Sequence, residues 1–344
     1  MPVVVTDGLG CLTIPRVAAR HVPSVHKVLR DLAPAARLWL TGGKKRWILS
    51  PEVAVAKGLR DVLASSVRAP VQDRAGWETI RALVTVKAYP AISRKSGESV
   101  CVAGIRLDTP RPEWVRLFPV GFRGLPREQQ FKKYQVVSLR AKRGNSDRRQ
   151  ESFQPDLSSL QLGTTVDADH GSWRRRWEIV EEIAGETTTC ELADAAKADG
   201  QAAPSLGLVK PVDVADLVVR ENPDFRPGGP VEVDVDLFGT EREVLEKTPF
   251  IVSYRYRCAS RACRGHEQSI VDWESGQLAR RNLQTHTPDE AKALHRARFL
   301  DEMCSSRRDT YFFVGNQHQH PQSFLVLGVF WPPAGSRPSP TLGF

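Results

Sequence analysis

Two thiols and an imidazole fall within nine positions of this chain, in Cys258-Ala-Ser-Arg-Ala-Cys263-Arg-Gly-His266. The segment directly follows Phe250-Ile-Val-Ser-Tyr-Arg-Tyr-Arg257, a run with the aromatic and β-branched content of a strand. Thiolate and imidazole are the ligands of tetrahedral zinc sites, and a β-ribbon ending in a knuckle is one way to present them. The C-x4-C-x2-H spacing departs from the paired C-x2-C of common zinc modules, and no fourth ligand is adjacent. Cys304, His295 and His286 in the following helical region, and His318 or His320 in the last loop, are candidates to complete it. Four protein ligands make a closed structural site, and three plus water an open catalytic one. The structural role is the expectation for Cys258, Cys263 and His266.

The knuckle leads into Ser269-Ile-Val-Asp272-Trp-Glu274, read as a strand that carries Asp272 and Glu274 on one face because alternate residues point the same way. With His266 they form a candidate catalytic set that would hold Mg²⁺ and position water for phosphodiester cleavage. The arrangement resembles the Asp and Glu-x-Lys pattern of restriction-type nucleases. Gly276 stands where that pattern has lysine. A structural alternative pairs both acids with Arg255, Arg257 or Arg264. His318 and His320 could form an acid/base pair in a polar loop. No Walker A, G-x-G-x-x-G, G-x-S-x-G or H-E-x-x-H pattern occurs, which removes support for nucleotide hydrolysis, dinucleotide-dependent redox chemistry and the common hydrolase mechanisms.

A net charge of +9 over 344 residues favours a polyanionic partner, nucleic acid being the usual one. The six cysteines (Cys11, Cys101, Cys190, Cys258, Cys263, Cys304) are few and unevenly spaced. They read as buried thiols in a reducing compartment, the close pair excepted. No run of about 18 apolar residues predicts a membrane span, and the first residues lack a secretory pattern. A cytoplasmic location and, from the abundance of Ala and Arg, a bacterial source are expected. Oligomeric state is not legible.

The patterning predicts an α+β chain. Residues 1–75 read as a helix–hairpin–helix-like unit, with helices near 17–32 and 53–63. The Arg37–Leu49 hairpin between them turns at Gly42-Gly43 and is tipped by Lys44, Lys45 and Arg46. The arrangement loosely resembles a winged helix in an unusual order. Residues 76–160 read as a small β-barrel or sandwich, with strands at 82–89, 99–107, 113–119 and 134–141. Residues 161–229 read as a mixed connector, 230–335 as a β-rich unit bearing the knuckle, and 336–344 as a flexible tail.

The last barrel strand ends in a basic loop carrying Arg140, Lys142, Arg143, Arg148 and Arg149, with Phe118, Phe122, Phe131, Tyr134 and Phe153 interleaved. Small barrels bind single-stranded nucleic acid with such mixtures, although each ring taken alone is expected in the core. Arg174 and Arg175 open a helix flanked by Trp173 and Trp177, and are expected to pair with Glu178, Glu181 and Glu182. These basic residues are the candidate nucleic-acid contacts, with Zn²⁺ as the expected cofactor and Mg²⁺ only for a nuclease. The leading expectation is a nucleic-acid-binding protein with a structural zinc knuckle. The rivals are a metal-dependent nuclease and a protein-interaction adaptor.

Overall fold

The computed structural model describes residues 76–89, 100–144, 147–226 and 247–338 in full. It describes the backbone alone of strand residues 4–6, 11–13, 37–41, 44–48, 91–93, 97–99, 233–235 and 241–243. The chain divides into two compact units, Met1–Val71 with Leu107–Arg111, and Gln72–Arg106 with Pro112–Phe344. In the first, β1 (Val4–Thr6), β2 (Cys11–Thr13), β3 (Arg37–Thr41) and β4 (Lys44–Ile48) form an antiparallel sheet in the order β1-β2-β4-β3. The β3–β4 hairpin is the one expected from the sequence. The two expected helices, the Gly42-Gly43 turn and the side chains of Lys44, Lys45 and Arg46 lie outside the described residues.

The second unit opens with a closed five-stranded barrel. Its strands are β5 (Trp77–Lys87), β7 (Gly97–Arg106), β8 (Glu113–Val120), β9 (Gln135–Lys142) and β10 (Ser152–Thr165), with β6 (Ala91–Ser93) added beside β7. Pairing runs β5-β7-β8-β10-β9 and back to β5, and β8 with β10 is the parallel pair. That is the connectivity of an OB-type Greek-key barrel. The inward residues Ile80, Val84, Val102, Val115, Val137 and Leu139 are β-branched or aliphatic and fully buried. Phe122 and Phe131, from the β8–β9 connection, meet edge-to-face at 5.0 Å within the same core. The barrel aromatics Phe122, Phe131, Tyr134 and Phe153 are therefore core residues, and Phe118 is the exposed one, at 39%. The closing strand β10 was not foreseen. Its ladder with β9 is broken by register shifts and its outward residues are mixed, so no clean two-residue period marks it.

After the barrel, helix α1 (Arg174–Val180) points Trp177 inward onto Tyr311 and Phe330, while Arg174 pairs with Glu178 one turn on. Helix α2 (Thr189–Asp199) starts with a Thr188/Glu191 capping box. Two three-stranded sheets follow. One has the order β11 (Leu206–Val209), β17 (Tyr311–Asn316), β18 (Phe324–Phe330). The other has the order β12 (Pro211–Glu221), β15 (Phe250–Cys258), β16 (His266–Ser269). A small ribbon of β13 (Val233–Val235) and β14 (Glu241–Glu243) lies between β12 and β15 in sequence. Residues 206–221, read as connector from sequence, are thus sheet. The sheets meet where Val271 donates its backbone N–H to Val326.

Helix α3 (Trp273–Leu283) and helix α4 (Pro288–Arg296), the latter opened by a Thr287/Glu290 capping box and Pro288, cover this layer. Stacked Tyr254 and Phe312, 4.5 Å apart, mark its core. No helix among the described residues is long and apolar enough to cross a membrane. Trp177 is fully buried, so Trp177→Ala is expected to cost about 3–5 kcal/mol, read as a lowered urea midpoint at unchanged slope.

Candidate metal centre and the neighbouring acid–lysine cluster

The β15–β16 hairpin brings three of the expected metal ligands together. Cys258 ends β15, Cys263 lies in the connecting turn and His266 begins β16. Gly265 takes φ +103°, a conformation that side chains resist, and donates its N–H to Cys263 Sγ at 3.4 Å. Tyr256 faces His266 across the ladder, and its hydroxyl bonds Gln268 Oε1 and Thr189 Oγ1, each at 2.6 Å. Thr189 is the first residue of α2, so this buried bridge holds the helix start against the hairpin and places Cys190.

Cys190 is the fourth member. Its Sγ lies 3.6 Å from Cys258 Sγ and 3.6 Å from His266 Nε2. His266 Nε2 is 3.4 Å from Cys258 Sγ and 3.3 Å from Cys263 Sγ. All four ligand atoms lie within 4.8 Å of one another, a group that could hold a metal ion. A tetrahedral ion with S and N ligands at about 2.3 and 2.0 Å has edges of roughly 3.5–3.8 Å, close to these separations. The three thiols are free. Burial pushes the Cys258 thiol up, but hydrogen bonds from His266 and Cys190 outweigh it and bring it to about 6. Cys190 is raised to about 12 by burial and by the Cys258 thiol beside it. Cys258 is thus more readily ionised than Cys190, and a bound cation would displace thiol protons.

The five ligands suggested from sequence for the fourth position do not join the cluster. His295 is fully buried, bonds Ser275 Oγ at 3.0 Å and is pulled down to about 4 by burial. Cys304 donates to Phe299 O. His286 is exposed beside Thr285 and Asn282. His318 and His320 are exposed in the β17–β18 loop, where His318 faces Asp147 at 3.6 Å. Cys190 escaped sequence reading because it is 68 residues from Cys258, alone on its helix, with no partner at a recognisable spacing.

The expected set of His266, Asp272 and Glu274 is corrected. His266 turns its ring nitrogen to the thiols. Asp272 and Glu274 do not share a strand face: Asp272 caps α3, accepting the Glu274 N–H, and Glu274 lies in the first turn. Among the described residues neither acid pairs with an arginine. Both meet Lys133, which reaches Asp272 Oδ2 at 2.8 Å and Glu274 Oε2 at 3.4 Å. Lys133 and Asp272 are almost wholly buried, whereas the Glu274 side chain is 58% exposed. Burial alone would pull the Lys133 ammonium down, but Asp272 and then Glu274 more than offset it and raise it. Gly276, which stands in the lysine position of the nuclease pattern, leaves room for Tyr89: a Cβ there would sit 2.5 Å from its ring. Lysine is excluded at 276 and arrives from the barrel instead.

Two further groups attend this cluster. Tyr134 has a left-handed φ of 59°, at a cost of about 1–2 kcal/mol for a side-chain-bearing residue. Among the described residues its buried hydroxyl has no hydrogen-bond partner, and burial raises it to about 12. Lys87 donates to Phe131 O at 3.4 Å with its ammonium 4.2 Å over the Phe122 ring, and burial lowers its pKa. A cavity of about 230 Å³ lined by Tyr89, Thr248, Phe250, Asp272, Ser275 and Gly276 adjoins Asp272.

Of the expected nucleic-acid contacts, Arg140 and Arg148 are exposed and Lys142 half-buried. Arg140 and Lys142 flank the Trp77 ring at 5.4 and 4.8 Å. Arg143 is exposed over Phe153 at 4.7 Å and donates to Gln150 O. Arg174 and Arg175 are exposed on α1. Arg149 is not a surface contact: it is buried, chelates Asp147 and donates to Asn316. Elemental analysis should find about one metal ion per chain, lost in Cys190→Ser and retained in Cys304→Ser.

Residues 78–182 match a domain of unknown function (DUF8758), and residues 185–342 match a second domain of unknown function (DUF8757). No curated protein matches the chain. The first match spans the barrel and Lys133; the second contains all four thiol and imidazole ligands together with Asp272 and Glu274.

Proposed function

We propose that this is a single-stranded nucleic-acid-binding protein whose C-terminal sheet layer is stapled by a structural zinc ion. The observation that carries the binding reading is the outward face of β5 and β9. Trp77 pairs with Lys142 and Thr79 with Arg140 in the ladder, so one aromatic ring has two cations close to it. The strip continues into the β9–β10 loop with Arg143 and Arg148. In OB-type barrels this loop and the face of the second and third strands are the usual ligand contacts. Here Trp114 of β8 packs on Phe313 and Arg116 bonds Ser205, so the β7–β8 face is partly covered. That leaves the β9–β10 side for a strand, with a base stacked on Trp77 and cations along the backbone.

Zinc is the cation that three thiolates and one imidazole in a closed tetrahedron favour. Four protein ligands leave no open position, so its role is to fix the hairpin to α2. The charge of the whole chain, +9, adds a general attraction for polyanions.

Fluorescence anisotropy with a labelled single strand tests the reading. Four phosphate contacts predict a slope of roughly −3 for log K against log salt. Replacing Arg140, Lys142, Arg143 and Arg148 together by alanine should remove most of that slope, and Trp77→Ala should cost about 1–3 kcal/mol with the slope kept. Unchanged binding in both variants would refute this face, and absence of any binding would favour a protein-interaction adaptor.

A further inference from the structure

We infer that the turn between β15 and β16, with Arg257, Arg261 and Arg264, is a second contact surface for the phosphodiester backbone of nucleic acid, carried by other elements than the Trp77 strip. The inference rests on the nucleic-acid reading above and adds a second place of contact to it.

Arg255, Arg257, Arg261 and Arg264 fall within ten positions, and no acid stands between Arg255 and Glu267. Arg255 and Arg257 leave the same face of β15, because alternate residues of a strand point one way, and both are exposed. Arg261 and Arg264 are exposed in the turn itself. Their neighbours in the same sheet layer are matched by acids. Arg255 bonds Glu267 at 2.8 Å across the ladder, and Arg220 of β12 shares that carboxylate at 3.1 Å. Arg296 meets Asp216 and Arg298 meets Glu302. Among the described residues no carboxylate meets Arg257, Arg261 or Arg264. Asp213 stands opposite Arg257 in the β12–β15 ladder, yet the Arg257 guanidinium turns to the carbonyl of Cys263 at 3.2 Å.

The turn is set before any partner arrives. Cys263 donates its N–H to Ser260 O at 3.0 Å, and Gly265 donates to Cys263 Sγ at 3.4 Å. The bond from Arg257 to Cys263 O ties the strand end to the same turn. Backbone that is already ordered loses little entropy on binding. A guanidinium fork matches phosphate oxygens in paired N–H···O bonds and stays charged at every working pH. Such contacts position a strand without reading its bases. The structural alternative, a plain solvated turn, accounts for the exposure of the three side chains. It leaves three like charges on one ordered turn without a counter-charge, where other arginines of the layer have one.

The test uses the full chain and labelled single strands of about 8 nucleotides, within the site size of one OB-type barrel, and of roughly 30. The longer strand is expected to bind with a slope of log K against log salt steeper by about 2, since each of three phosphate contacts adds about 0.7. Arg261→Ala combined with Arg264→Ala, two surface changes outside the thiol cluster, should remove about two-thirds of that increment, with short-strand binding and metal content unchanged. Adding Arg257→Ala should remove the rest. No binding of the longer strand, equal slopes for the two lengths, or a long-strand slope unchanged in the double variant would each overturn the inference. Displacement of the longer strand by poly-glutamate as readily as by unlabelled strand would assign the surface to an acidic protein and overturn it as well. Short-strand binding responds to the Trp77 strip alone, so its loss or survival in the Arg140, Lys142, Arg143 and Arg148 variant judges that reading separately.

Discussion

The ion pair between Lys133 and Asp272 joins the two halves of the larger unit. Lys133 comes from the end of the barrel's β8–β9 connection, and Asp272 caps the first helix after the hairpin. Around them Ala88 bridges Asp272, and Tyr89 donates its N–H to Val271. Removing one partner of a buried pair leaves an uncompensated charge and costs about 3–5 kcal/mol. The placement of β5, of the 131–134 segment and of α3 is therefore mutually enforced. So is the positive φ of Tyr134, the residue that follows the lysine.

The thiol cluster joins a second pair of elements, the β15–β16 hairpin and the start of α2. Its candidate ligands come from a hairpin and from a helix start that share one apolar core. The hydroxyl chain from Thr189 through Tyr256 to Gln268 brings Cys190 within reach before any ion binds. A cation held there would convert a cluster of neighbouring thiols into one coordinated group.

The basic residues divide into three physical classes despite their similar appearance in sequence. Arg149 is an internal strut, since it satisfies Asp147 and Asn316 in the core. Arg174 pairs one turn along its own helix. Arg140 and Lys142 border an aromatic ring on an outward face. Counting charges cannot separate these, because each class depends on which carboxylates and rings the fold delivers to the same place. The resemblance to a nuclease pattern shows the same dependence: Gly276 denies the lysine locally because Tyr89 fills its space, and the lysine that meets the acids is Lys133, 139 residues before Asp272.

Local patterning determined the α+β class, four barrel strands, strand β15 with the Cys258, Cys263 and His266 knuckle after it, the Thr287-Pro288 helix start and the β17–β18 pair. Each is written in contiguous residues whose period, turn chemistry or ligand type acts over a few positions. Tertiary structure alone decided the closing strand β10, the Cys190 ligand, and the change of Asp272 from strand residue to helix cap. It also decided the meeting of Lys133 with two acids. These depend on contacts between segments far apart in the chain. Nothing in the local sequence of either segment records such a contact, because burial and charge compensation are set only when both surfaces are in place.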